Sequence, residues 1–254
     1  MEEKISEIKN RLKETEDHKL AEFLERYRKD ERSGVIALCT QAVKRMAAYE
    51  KELLRIEEMM RYEKEYSAYG AICGIDEVGR GPLAGPVVAG AVILPKDCQI
   101  LYLNDSKKLT AKMRDRLYDE IMEKAVATGI GFATEKRIDE INILNATYEA
   151  MRMAIEKCGV KHDILLNDAV TIPEVSIRQI PIIKGDAKSV SIAAASIIAK
   201  VTRDRYMEEM DKKYPGYGFA SNKGYGSGEH IAALKQSGPC EIHRKSFIGH
   251  FVPV

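Results

Sequence analysis

Two apolar runs, AICGIDE at residues 71–77 and VVAGAVIL at 87–94, are joined by a Gly- and Pro-rich link at 79–86. A parallel pair needs a crossover of about a dozen residues or more, so this short link predicts an antiparallel hairpin. Three further β-rich runs follow: GIGFATE (129–135), DILLN (163–167) and IRQIPII (177–183). Stretches with helical periodicity separate them at 110–127, 139–158 and 189–213. The expected fold is therefore α/β, a mixed five-stranded sheet flanked by helices. Residues 214–226, YPGYGFASNKGYG, are too rich in Gly and Tyr for a helix, and a short helix is expected at 228–237 in a C-terminal helical region.

Residues 1–69 have a different texture, with no proline, a single glycine (Gly34) and dense charge. Apolar residues recur there at helical spacing: Ile5, Ile8 and Leu12; then Leu20, Phe23, Leu24 and Tyr27; then Ile36, Val43, Met46, Leu53, Ile56 and Met60. The spacing predicts a small all-helical module of three helices, with a second domain over 70–254. The module's net charge is −1, leaving +2 for the remainder. That balance argues against a basic nucleic-acid arm and favours a unit that packs on the main body or on a protein partner.

The 254 residues are 45% apolar and 31% charged, which excludes general disorder. No stretch approaches the roughly 18 consecutive apolar residues of a bilayer span, and the first residues are charged where a signal peptide is apolar. A cytoplasmic protein with no membrane partner is expected. The five cysteines are scattered, with no Cys-x-x-Cys pair and no histidine read at metal-ligand spacing, and they are taken as reduced, mostly buried thiols.

Acidic residues close three of the apolar runs. Asp76 and Glu77 end the first run and lead into Gly79-Arg80-Gly81; Asp168 follows the fourth, and Asp186 the fifth. Charge at the end of a buried strand needs a cation or a salt bridge. Mg²⁺ and Mn²⁺ prefer carboxylate oxygen, and paired ions suit phosphodiester hydrolysis. Neighbouring strand residues face opposite ways, so Asp76 and Glu77 share a site only if the strand ends or bulges there. Arg80, the Asp105-Ser106-Lys107-Lys108 segment, Lys184, Lys188, Lys200 and Arg203 suit a polyanion, although Lys200 and Arg203 could instead pair with Asp204 or Glu208 along one helix. The run from Ala193 to Ala199 reads as a close helix-to-sheet contact without a chemical role.

The series GIDEVGRGPLAGPVVAGAVIL, DSKKL, KGDAKSVSIAAASIIAKVTRDRYM, YPGYGFASNKGYG and HRKSF resembles, in order, the motifs of the ribonuclease HII family over residues 71–247. The resemblance implies a ribonuclease H-like fold and an endonuclease that hydrolyses the RNA strand of RNA/DNA hybrids. It also implies nicking of duplex DNA 5′ to an embedded ribonucleotide, with two Mn²⁺ or Mg²⁺ ions and 5′-phosphate and 3′-hydroxyl products. By the same resemblance Asp76, Glu77 and Asp168 hold metal and Asp186 is the fourth active-site acid. Gly79, Arg80 and Gly81 then sense the ribose 2′-hydroxyl, Tyr225 stacks on the sugar at the DNA side, and Ser106, Lys107 and Lys184 are substrate contacts. The sequence departs from the family pattern at Asn167, where an apolar residue is usual, and at Ala169, where glycine is common. A ribonuclease HIII-like hybrid nuclease and a catalytically silent hybrid-binding module are the alternatives; a monomer is expected, with residues 1–69 as a surface for a protein partner.

Overall fold

The computed structural model describes residues 3–253. The chain divides into two compact units, Met1–Glu58 and Met59–Val254. The seam thus falls ahead of residue 69, where the change of sequence texture put it.

In the first unit, α1 (Ile5–Glu14), α2 (Leu20–Tyr27) and most of α3 (Ser33–Met59) enclose a small core. Ile8, Leu12, Leu20, Phe23, Tyr27, Val35, Leu38 and Ala42 fill it. The face read for the start of α3 is one residue out of register: Ile36 and Val43 are exposed, while Val35, Leu38 and Ala42 point inward. The true stripe has the i, i+3, i+7 spacing of a helix face, but it contains a small alanine and was outweighed by the bulkier residues beside it.

The second unit begins with a short helix, α4 (Arg61–Glu65), and holds one five-stranded sheet. Its strands are β1 (Ile72–Val78), β2 (Val87–Ile93), β3 (Ala127–Ala133), β4 (Ile164–Asp168) and β5 (Arg178–Ile182), in the order β3-β2-β1-β4-β5. β1 and β2 form the expected antiparallel hairpin, with Val78 opposite Val88. β3 is antiparallel to β2, whereas β4 runs parallel to β1 and β5 parallel to β4.

β3 starts and ends two residues before the run read from the sequence. The Thr134 hydroxyl accepts from the Arg137 N–H and caps the next helix, α6 (Glu135–Lys157), which draws Glu135 out of the strand. That helix begins earlier than expected and is interrupted at Asn142, whose φ of 66° and ψ of 165° are not helical. The other helices are α5 (Ala111–Lys124), α7 (Val190–Lys213), α8 (Phe219–Asn222), α9 (Gly228–Ser237) and α10 (Lys245–Ile248). α8 is a single turn inside the segment expected to lack helix, framed by left-handed residues Gly218 and Lys223.

α7 and α6 cover opposite faces of the sheet. Even-numbered Gly74 on β1 faces the Ser191 backbone, and odd-numbered Cys73 and Ile75 join the α6 core residues Ala150 and Ala154. The approach is closest at glycines: a Cβ on Gly90 would lie 2.4 Å from the Ala195 carbonyl oxygen, and one on Gly131 1.9 Å from that of Ala150. The small-residue run of α7 is thus a close helix-to-sheet contact, as its composition indicates.

Candidate active site

The β1–β4 pairing stops at Ile75 opposite Asn167. Asp76 and Glu77 on β1, and Asp168 on β4, therefore stand just past the last rung, at the carboxyl ends of two parallel neighbours. Ends of this kind carry the sites of open α/β sheets. Asp186 enters on the turn after β5, Gly185–Ala187, which is tied to β4 because the Gly185 N–H donates to Asp168 Oδ1 at 2.7 Å.

Strand alternation sends Asp76 toward α7, where Ser196 opposes the effect of burial on its carboxyl. Ser196 Oγ also lies 3.0 Å from Ser106 Oγ, so the loop before α5 is bonded to the same spot. Glu77 stays in the same electrostatic neighbourhood, with Oε1 3.4 Å from Arg80 Nη1. Ser196 belongs to the run read as chemically silent; its only sequence signal is a hydroxyl in an otherwise apolar stretch.

Burial pushes the Asp76 carboxyl well above its ordinary value, and Glu77 and Asp168 raise it further. Burial also raises Glu77, against the opposing pull of Arg80. Asp186 is raised by burial, then by Asp105 and Asp168, with Lys107 pulling the other way. Asp105 is thus a fifth acid at the site, signalled in sequence only by its place ahead of Ser106-Lys107. Oxygen-only donors that repel one another in a desolvated corner fit a hard divalent cation.

The turn after β1 is held from behind by two arginines. Gly79 has φ +90°, and a Cβ there would meet Arg203 Nε at 2.2 Å, so only glycine fits. Arg203 and Arg244 are fully buried. Arg244 donates to the carbonyls of Gly79 (2.6 Å), Arg80 (3.0 Å) and Gly85 (2.6 and 2.8 Å). Arg203 donates to those of Pro86 (2.9 Å), Ala84 (3.1 Å) and Lys223 (2.8 Å). Arg203 therefore turns inward, and Lys200 alone of the two pairs with Asp204, at 2.6 Å.

The Leu83 N–H donates to the Gly224 carbonyl, which fastens the Tyr225 loop to this turn. The exposed Tyr225 ring then lies beside Gly81, with Cε1 3.8 Å from where a Cβ would be. Arg80, Lys107 and Lys184 are exposed, the last in a left-handed conformation directly ahead of the Asp186 turn. The two sequence departures also have local accounts. Asn167 is buried but donates to the Val170 carbonyl and Gln179 Oε1, anchoring the loop after β4. Ala169 adopts φ 57°, the left-handed conformation that glycine takes without strain.

A family model described as ribonuclease HII matches residues 73–250, and one described as ribonuclease HII N-terminal domain matches residues 4–67. The ribonuclease HII of Lachnoclostridium phytofermentans is 62% identical over 245 residues, covering 96% of each chain. Ribonuclease H2 from Pyrococcus horikoshii is 30% identical with a TM-score of 0.57, over 69% of this chain and 93% of that one. An Archaeoglobus fulgidus ribonuclease HII, solved in complex with PCNA, is 27% identical with a TM-score of 0.59, over 70% and 94%.

Sheet, flanking helices and acidic corner together define a ribonuclease H-type enzyme. The chain belongs to the ribonuclease HII family, whose activity is metal-dependent hydrolysis of RNA in RNA/DNA hybrids. Among the described residues, no helix is long and apolar enough to cross a membrane.

Proposed function

We propose that this ribonuclease H nicks duplex DNA on the 5′ side of a single embedded ribonucleotide, as well as cutting longer hybrids, and leaves 5′-phosphate and 3′-hydroxyl ends. The observation that carries the reading is the juxtaposition of the buried carboxylate corner with the Gly79-Arg80-Gly81 turn and Tyr225, all bonded into one frame.

In this reading Asp76, Glu77 and Asp168 hold two Mg²⁺ or Mn²⁺ ions, with Asp186 at the rim. When bound, such ions lower the pKa of water and offset charge on the phosphate and leaving oxygen. The remaining work belongs to the chain. Burial and the neighbouring acids Glu77 and Asp168 make an unneutralised Asp76 carboxylate costly, which favours a cation beside it. The Gly185 N–H occupies Asp168 Oδ1 and leaves the other oxygen for a ligand. Arg80 is free to shift its charge from Glu77 to a phosphate. The turn offers backbone groups at van der Waals range of a sugar, and the Tyr225 ring supplies a flat surface beside it; 2′-hydroxyl contacts and stacking are how proteins tell RNA from DNA. The enzyme acts as a monomer in the cytoplasm, and the N-terminal unit serves as a packing or partner element.

The test compares a duplex bearing one ribonucleotide with a long hybrid for wild-type and Tyr225→Ala proteins. The reading expects Tyr225→Ala to lose about tenfold or more on the single ribonucleotide, from the roughly 1–3 kcal/mol of a stacking contact. It expects a smaller loss on the long hybrid. Equal losses on both substrates would return the turn and Tyr225 to general backbone binding.

A further inference from the structure

At the sheet end remote from the acids, the fold gathers Cys73 of β1, Cys158 at the carboxyl end of α6 and His162 of the next loop. The two sulfurs and a ring nitrogen of His162 all lie within 4.8 Å of one another. Both cysteines are buried. Cys158 and His162 are separated by three residues and the third member lies far upstream on another strand, so the paired spacing by which a linear reading finds metal ligands is absent.

Three observations separate this cluster from an ordinary core contact. His162 Nε2 is buried and has no hydrogen-bond partner among the described residues, which is costly for a polar atom. Burial lowers His162 against the opposing effect of Asp163. The Cys73 and Cys158 thiols each donate to a backbone carbonyl, of Gly74 at 3.8 Å and of Ala91 at 3.6 Å, so the two sulfurs face each other without a thiol proton between them.

We propose that Cys73, Cys158 and His162 form a binding site for a thiophilic d¹⁰ cation, Zn²⁺ or Cu⁺, independent of the nuclease centre. Two thiolates and an imidazole suit these ions and disfavour Mg²⁺ and Mn²⁺, which prefer oxygen. Tetrahedral Zn–S bonds of about 2.3 Å put two sulfurs about 3.8 Å apart, so ligand atoms within 4.8 Å need only a small closure. Binding releases the two thiol protons to solvent and changes no oxidation state. Three protein ligands leave a fourth position to water for Zn²⁺, or a trigonal site complete for Cu⁺. The ion would bridge β1 and the α6 carboxyl end and so stabilise the folded chain.

The experiment uses the full chain, stripped with chelator and kept reduced with a phosphine. It is titrated with Co²⁺ as a spectroscopic stand-in and then with Zn²⁺ or, in a parallel anaerobic arm, Cu⁺. The proposal expects a thiolate-to-cobalt charge-transfer band, displaced stoichiometrically by Zn²⁺ or Cu⁺, whichever is the better occupant. Carboxylate-bound Co²⁺ at the nuclease centre gives no such band. His162→Ala, a change at a half-exposed loop position, should weaken Co²⁺ binding about tenfold or more and remove the rise in Tm produced by the displacing ion. Cys158→Ser should abolish the band. Its absence from the wild-type protein, its persistence in Cys158→Ser, or unchanged affinity in His162→Ala would each overturn the site, as would a Cys73–Cys158 disulfide that forms in place of metal uptake.

Discussion

His230 and His243 meet nitrogen to nitrogen, with Nε2 3.0 Å from Nε2. Their outer partners fix both tautomers. The Tyr225 carbonyl needs a donor, so His230 Nδ1 carries the proton and its Nε2 accepts. The Cys240 N–H donates to His243 Nδ1, so the His243 proton is on Nε2. Two neutral rings thus carry one run of hydrogen bonds from Cys240 to the backbone of Tyr225. Protonating either ring sets two N–H groups against each other.

This relay makes stability depend on pH. His243 is lowered to about 4, by burial first and then by His230. A depressed histidine contributes stability above its unfolded value of about 6.5, and that contribution is lost as pH falls toward 4. The raised acids act in the opposite direction over the same window, so the test is a difference. Subtracting the Tm–pH curve of His243→Gln from that of wild type should leave a decline below pH about 6.5; a flat difference would remove the relay from the account.

Asp76→Asn separates catalytic loss from structural gain. A carboxyl raised in the folded state contributes stability at low pH that disappears as pH rises through its folded value. Without divalent ions at neutral pH, the variant should therefore have a higher Tm than wild type, while its cutting falls to background. Mg²⁺ should raise the Tm of wild type and fail to raise that of the variant. Calorimetry with EDTA and with Mg²⁺ decides both points.

Arg244 is lowered to about 9 by burial and by Arg203, so it remains charged at neutral pH and holds three carbonyls of the turn. Arg244→Met leaves those acceptors buried without donors and should cost about 3 kcal/mol or more. Arg244→Lys restores a charge without the planar fork, so it should recover stability better than single-ribonucleotide cutting. Parallel denaturation and kinetic measurements on the two variants would show that split or its absence.

Ala169→Gly should stabilise the protein. The left-handed conformation costs an L-residue about 1–2 kcal/mol, and glycine gives back about 0.4–1 kcal/mol through the unfolded chain, for a net gain of up to about 1.6 kcal/mol. A lower urea midpoint for the variant would show that the alanine is not strained.

What the sequence made legible was local. The short link at 79–86 forces the hairpin, and acids closing apolar runs mark the carboxyl edge of the sheet. The features it hid depend on partners distant in the chain. Arg203 has the spacing of a helix-surface ion pair, yet its partners are carbonyls on the turn after β1 and beside Tyr225. Ser196 looks inert until Asp76 lies beneath it. The inner face of α3 is set by Ala42, which hydrophobicity ranks below the exposed Val43. The Asn142 break follows no glycine or proline, and the His230–His243 contact joins α9 to the segment before α10.

The central claim is tested most directly on a labelled DNA duplex with one ribonucleotide, beside an all-DNA control. Wild-type and Asp168→Asn proteins are compared with Mg²⁺, Mn²⁺ or EDTA, and the products are resolved on a denaturing gel. The account predicts one cut on the 5′ side of the ribonucleotide, with a 3′-hydroxyl upstream, lost in EDTA and in Asp168→Asn. Cutting that survives EDTA or the loss of the Asp168 carboxylate, or that falls equally on the all-DNA duplex, would contradict it.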